Sequence, residues 1–178
     1  MTGREQEEYT ALRATIRERG TTRVWVFTLG MAAWAVLLIA TLALALPPAV
    51  TLVPLLVLAA TFEAVLALHA GVERIGRYLF VFHEDDWERA AGAFGRPPGA
   101  IGVDPLFSTV FLLAAVLTLL PLAPVVPIPQ ELAAVGIAEA AFIVRVLRAK
   151  IMAAKQRTID AERFSYLRAA DRDTTTRR

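Results

Sequence analysis

The chain has 178 residues, no cysteine and a formal net charge of +2. The missing thiols exclude disulfides and thiolate metal sites, and the length suits one domain. Hydrophobic residues make up 56% of the chain, above the ~45–50% of a soluble domain, and they gather into long runs, the pattern a bilayer selects.

Residues 1–23 place Tyr9, Leu12 and Ile16 at helical spacing, which predicts an amphipathic cytoplasmic N-terminal segment. Gly20 and the two threonines after it are expected to separate this segment from the first apolar run, Val24–Leu46. A helix rises ~1.5 Å per residue, so about 20 residues cross a hydrocarbon core of ~30 Å. The first run is long enough, and so is the second, Leu52–Ala70. A soluble core helix rarely stays uncharged for such a length. The charged residues ahead of the first run, and its length, argue against a secretory signal peptide. The stretch LPPAVT between the two runs is uncharged, and its prolines end helices, so a hairpin is expected.

The second helix is expected to outrun the membrane. No proline follows Pro54 before Phe82, and a helix of that length reaches ~43 Å. HEDDWERAAGAF, residues 83–94, reads as a short amphipathic helix with Trp87, Ala91 and Phe94 on one side and Trp87 suited to the membrane interface. GRPPGAIGVDP reads as a loop.

The third run, Leu106–Leu122, is short for a span unless Asp104 and Pro105 supply its cap and first turn. PLAPVVPIP then forms a second uncharged, proline-rich turn. The fourth run, Glu131–Leu147, is the least apolar, with Glu131, Glu139 and Arg145. It continues into a basic C-terminal segment with Ile151, Ala154, Ala161, Phe164 and Leu167 as its apolar positions.

Positive charge has a side. All 19 Lys and Arg lie in residues 1–23, 71–103 and 145–178, and the two proline turns hold none. Basic residues stay on the cytoplasmic face, so both termini and the central loop are expected there. The resulting fold class is an all-α integral membrane protein of the cell membrane. Its four transmembrane helices form two helical hairpins, with cytoplasmic extensions of helices 2 and 4. The expected parts are 1–23, the first hairpin 24–70, the central segment 71–103, the second hairpin 104–150 and the basic tail 151–178.

Two acids fall inside the spans. Counted from Pro54 and Pro129, Glu63 and Glu139 lie ~14–15 Å along their helices, near the bilayer midplane. Insertion scales place the cost of a central acid at roughly 2.5–3.5 kcal/mol, so such residues turn inward and mark ion or proton pathways. The stretches around Glu63 and Glu139 share a proline, a Glu-Ala pair and a following arginine, an order compatible with a parallel duplication. The plainer alternative is structural: Glu63 hydrogen-bonds a helix carbonyl, the Trp34 indole, Thr41 or Thr61.

His69 and Glu73 share a helix face and are candidate metal ligands, with His83, Glu84, Asp85 and Asp86 as further donors if the chain turns back. The plainer alternative pairs Glu73 with Arg77 at the headgroups. No established metal spacing, nucleophile elbow, P-loop or dinucleotide fingerprint is present, so no cofactor and no enzyme activity is expected. Residues 145–178 have a net charge of +6, and Arg148, Lys150, Lys155 and Arg157 in this segment suit anionic lipid at the cytoplasmic face or a partner protein, unless it packs as a solvated helix on the N-terminal one. Nucleic acid lacks an aromatic platform here.

Three functions fit these features. One is proton- or ion-coupled transport through Glu63 and Glu139, in a homo-oligomer because four spans enclose little room. The second is a non-catalytic adaptor or complex subunit that binds a partner through its cytoplasmic helices. The third is a metal-dependent membrane enzyme.

Overall fold

The computed structural model describes residues 3–82, 106–124 and 128–176; in the last range the side chains of Ala154, Arg157, Ala161 and residues 171–176 lie outside the described set. The described residues are helical, with no strand. Helix α1 is Gly3–Ala43 and α2 is Leu52–Phe82, joined across a 3-10 turn at Pro48–Thr51. Helix α3 is Ser108–Thr118, followed by a 3-10 turn at Leu120–Leu122, and α4 is Pro129–Thr176.

Helix α1 corrects one boundary. The N-terminal segment and the first apolar run form one helix of 41 residues, and Gly20 does not divide them. A glycine inside a helix costs about 1 kcal/mol, less than the backbone hydrogen bonds a break would forfeit, and the Thr21 hydroxyl donates back to Arg17 C=O at 3.1 Å. Helix α2 continues to Phe82 as its lack of proline implies. Helix α3 is shorter than its apolar run, 11 residues. It opens with Phe107 at the N-cap in a left-handed conformation, φ 52°, while Asp104 and Pro105 lie outside the described residues, as does the expected helix at 83–94. Helix α4 is a single element of 48 residues that carries the fourth run into the basic tail.

Two helices are long and apolar enough to cross a membrane, Gly3–Ala43 and Pro48–Phe82, and only 17% and 39% of their most apolar stretches are buried. Large apolar side chains stand on the outside, among them Leu29, Ile39, Leu56, Leu113 and Ile137.

The chain divides into two compact units. One, here the apolar unit, comprises residues 22–67 and 104–151; the other, the terminal unit, comprises 1–21, 68–103 and 152–178. Inside the apolar unit a chain of phenylalanines links all four helices. Phe27 of α1 lies edge-on to Phe111 of α3 at 5.7 Å between centroids. Phe62 of α2 lies edge-on to Phe111 at 5.1 Å and to Phe142 of α4 at 6.1 Å. Phe62 and Phe111 are fully buried. Edge-to-face rings contribute about 0.5–1.5 kcal/mol each beyond their area. The buried positions of α4 here are Val135, Glu139, Phe142, Val146 and Ala149, alternating by four and three residues as a helix seam does.

Close approach and one polar bond fix the register. At Gly30 of α1 any Cβ would collide with the Thr61 side chain of α2, and Thr61 is held by its own bond to Val57 C=O at 2.7 Å. The Trp34 indole donates to the Thr118 hydroxyl at 3.0 Å, which donates to Ala114 C=O at 2.9 Å.

In the terminal unit α2 is the element that α1 and α4 both touch. Tyr78 stacks on Phe82 at 4.7 Å, and both meet Phe164 of α4 edge-on. Arg19 of α1 lies over Gly71 of α2. The inward face of α4 in this unit carries Asp160, buried, and Phe164, partly buried. Ile151 (in the apolar unit) and Leu167, expected as packing positions, are exposed; Ile151 stands two residues past Ala149, off the face that Val135–Ala149 define.

Helix α1 ends in a six-residue cap. Leu46 N–H donates to Thr41 C=O at 3.2 Å and Ala45 N–H to Leu42 C=O at 3.3 Å. This Schellman pattern requires a left-handed residue, where glycine is the usual choice. Here it is Ala45, φ 48°. Replacing Ala45→Gly removes the Cβ strain and is expected to stabilise the protein by about 1 kcal/mol, seen as a higher midpoint in thermal unfolding followed by circular dichroism in detergent; an unchanged or lower midpoint contradicts the strain.

Candidate functional site

The two acids within the apolar runs have opposite surroundings. Glu139 is on the inner seam of α4, only 4% exposed, with Val135 one turn before it and Phe142 one turn after. Among the described residues neither of its carboxylate oxygens has a hydrogen-bond partner. Glu63 is on the outer face of α2, its side chain 49% exposed. It forms a two-point ion pair with Arg145 of α4: Nε to Oε1 at 2.7 Å and Nη2 to Oε2 at 2.7 Å.

This corrects the expectation that Glu63 turns inward, and with it the idea that the acids hold equivalent places in a duplicated pair of helices. Phe62 meets Phe142 and Glu63 meets Arg145, so α2 and α4 run in parallel register. Glu139 lies six residues before Arg145, ~9 Å further toward Pro129. The donors that sequence offered to Glu63 serve elsewhere: Trp34 bonds Thr118, Thr41 bonds Leu37 C=O and Thr61 bonds Val57 C=O. The physical reason is that an arginine within reach satisfies a carboxylate better than a neutral hydroxyl, through two charge-assisted bonds in one plane.

His69 is buried, 3% exposed. Glu73 accepts a bond from Arg77 Nη1 at 3.1 Å, the i,i+4 ion pair of the plainer alternative. Among the described residues no three His, Asp or Glu side chains gather in a way that would hold a metal; His83, Glu84, Asp85 and Asp86 lie outside the described residues. Arg148, Lys150 and Lys155 are exposed, and the Arg157 side chain lies outside the described set.

Sequence reasoning missed the polar centre of the terminal unit. Arg77 donates through Nη2 to Asp160 Oδ2 at 2.7 Å while holding Glu73. Gln156 Nε2 donates to the other Asp160 oxygen at 2.8 Å. Burial pushes the Asp160 carboxyl up, but the hydrogen bonds from Gln156 and Arg77 and the charges of Arg77 and Arg74 outweigh it and hold the group below the usual carboxylate range. Nearby, Tyr78 donates its hydroxyl to Glu8 at 2.8 Å. Burial first, then the bond to Glu8 and its negative charge, push the phenol up to about 12. The only signal for Asp160 lay in the seam phase: it stands on the α4 face that Phe142 and Val146 define.

A depressed carboxylate stabilises the fold above its unfolded value and stops doing so as pH falls through the folded one. Thermal stability of the terminal unit is therefore expected to decline as pH is lowered below about 4. Asp160→Asn is expected to lower stability at neutral pH by about 2 kcal/mol and to flatten that acid limb. Melting curves across the acid range check both; an acid limb as steep in Asp160→Asn as in the parent chain counts against Asp160 as its source.

No protein-family model, no curated protein and no solved structure matches this chain.

Proposed function

We propose that the chain is a four-span protein of the cell membrane, with both termini cytoplasmic, that binds a proton or small cation at Glu139 and couples that binding to transport. Three features support the membrane reading. Two helices have span length and apolar composition, with most of their apolar stretches uncovered. Large apolar side chains face outward throughout the apolar unit. All 19 basic residues avoid the two proline turns, the asymmetry that sets orientation in membranes.

Glu139 carries the functional reading. A carboxylate on an apolar seam with no hydrogen-bond partner among the described residues is costly to keep, and replacement by leucine or alanine would relieve that cost without disturbing the seam. Its retention makes sense where the oxygens are needed for a visiting ion. Glu63 has no such part in this reading, since Arg145 already neutralises it. Glu139 binds the ion, and the Phe62–Phe142 pair beside it limits the water that reaches it.

Glu139→Gln is expected to fold, as judged by circular dichroism and gel filtration, and to abolish proton- or sodium-linked flux in proteoliposomes carrying a pH-sensitive dye. Flux equal to that of the parent chain removes the carboxylate mechanism. The cysteine-free sequence allows single cysteines at residues 47–51 to be labelled from outside intact cells; labelling only after lysis overturns the orientation.

A second reading has its own observation. On α4 in the terminal unit Met152, Ile159 and Tyr166 recur every seventh residue and are 64%, 41% and 75% exposed. An outward apolar stripe beyond the expected span fits an adaptor that docks a helical partner. Removing residues 151–178 is then expected to release a co-purifying protein while the remaining helices stay in the membrane fraction; a partner that stays bound contradicts it.

A further inference from the structure

The ion pair on the outside of the apolar unit demands a cover. Glu63 lies ~14 Å from Pro54 along α2, and Arg145 lies ~24 Å from Pro129 along α4, both inside a hydrocarbon core of ~30 Å. Charged side chains at such depth face a bundle interior or a partner rather than lipid. Yet the Glu63 and Arg145 side chains are 49% and 44% exposed.

The surroundings of the pair are built for close approach. On α2 the outward residues one turn either side of Glu63 are Ala60 and Ala67, and on α4 the residue one turn before Arg145 is Ala141; all three are exposed. Small residues let helix backbones come near each other in lipid, where packing and polar bonds rather than water drive association. Either feature alone is commonplace. Together they describe an uncovered polar contact with room for a helix against it.

We propose that this outward face of α2 and α4, centred on the Glu63–Arg145 ion pair and framed by Ala60, Ala67 and Ala141, is where a second copy of the chain docks. Charge complementarity selects the second copy over an unrelated partner. A two-fold axis along the membrane normal keeps both copies upright and sets Glu63 of one level with Arg145 of the other. Each guanidinium has five N–H donors in a planar fork and uses two on its own Glu63, so the remaining donors reach the second carboxylate. The face satisfies itself, as an isologous interface requires. The inference rests on α2 and α4 crossing the bilayer, and it supplies the enclosure that four short spans lack.

The test uses the full chain in phosphatidylcholine vesicles at low protein density, with single cysteines at Ala67, at Ala60 and, as a control, at Leu29 of α1, which is also exposed. Oxidation is expected to cross-link two chains through Ala67→Cys and Ala60→Cys and not through Leu29→Cys. Glu63→Arg is expected to reduce cross-linking at Ala67→Cys roughly tenfold, and adding Arg145→Glu, which exchanges the charges, restores it. The exchange restores the pair within one chain and between chains together, so circular dichroism of Glu63→Arg separates loss of docking from loss of folding: a helical spectrum equal to the parent's with cross-linking lost supports docking, and a collapsed spectrum with cross-linking kept at Ala60→Cys and Ala67→Cys contradicts it. Vesicle flotation is read on the same samples. A chain that floats but cross-links at none of these positions, or at all of them alike, overturns the docking face and leaves the membrane reading intact. A chain that stays in the aqueous fraction overturns both.

Discussion

Phe62 is the residue on which the apolar unit depends. It is fully buried, and its ring meets Phe111 and Phe142 edge-on, so one side chain of α2 joins α3 and α4, and through Phe111 reaches Phe27 of α1. Between helices that are apolar on several faces, shape and a few polar bonds set the register. Rings have shape with few rotamers, which makes them suited to that task. The other fixed points agree with this register: the Gly30–Thr61 approach draws α1 onto α2, and the Trp34–Thr118 bond ties α1 to α3. The indole bond also satisfies the one polar atom that a buried tryptophan carries.

The polar groups follow a different economy. Helix α4 has one face that packs and one that does not, and Glu139 and Arg145 are divided between them. Arg145 faces out and takes Glu63; Glu139 faces in and takes nothing among the described residues. In the terminal unit the arrangement reverses. There the buried acid, Asp160, has both oxygens filled by Arg77 and Gln156. A fully satisfied buried carboxylate specifies a packing, whereas an unsatisfied one is a reservoir of binding energy for an ion. Asp160 and Glu139 are thus both buried acids of α4, one with its oxygens filled and one without a hydrogen-bond partner among the described residues.

Much of the helical content was legible from composition and proline placement. The apolar runs became helices, α2 ran on to Phe82 because nothing stopped it, and α4 carried the fourth run into the basic tail. What failed was local punctuation and facing. Gly20 was read as a break, but its cost is small against the hydrogen-bonded helix on either side of it. Ala45 took a left-handed turn that sequence would assign to glycine. Facing was harder, because a helix that is apolar on most sides has no polar side to read. Glu63 was placed inside on the argument that lipid rejects charge; Arg145, a residue 82 positions away, altered that balance, and no periodicity within α2 reports it. Asp160 was missed for a related reason: its partner Arg77 lies 83 positions off, and the basic tail hides a buried acid among solvated ones.

The spacing of Glu139 and Arg145 explains why these two charges on one helix do not cancel. Six residues carry the chain ~9 Å along the axis and leave the side chains about 120° apart around it. An arginine three or four positions on, at Phe142 or Ile143, would share Glu139's face and pair with it. Those positions hold a phenylalanine that packs on Phe62 and an isoleucine packed against the same core. The aromatic packing that fixes the register thus also keeps the nearest cation off the inner acid. That cation points outward, where it neutralises Glu63. One structural decision, the phase of Phe142 on α4, therefore leaves an acid open on the inside and a charged contact open on the outside.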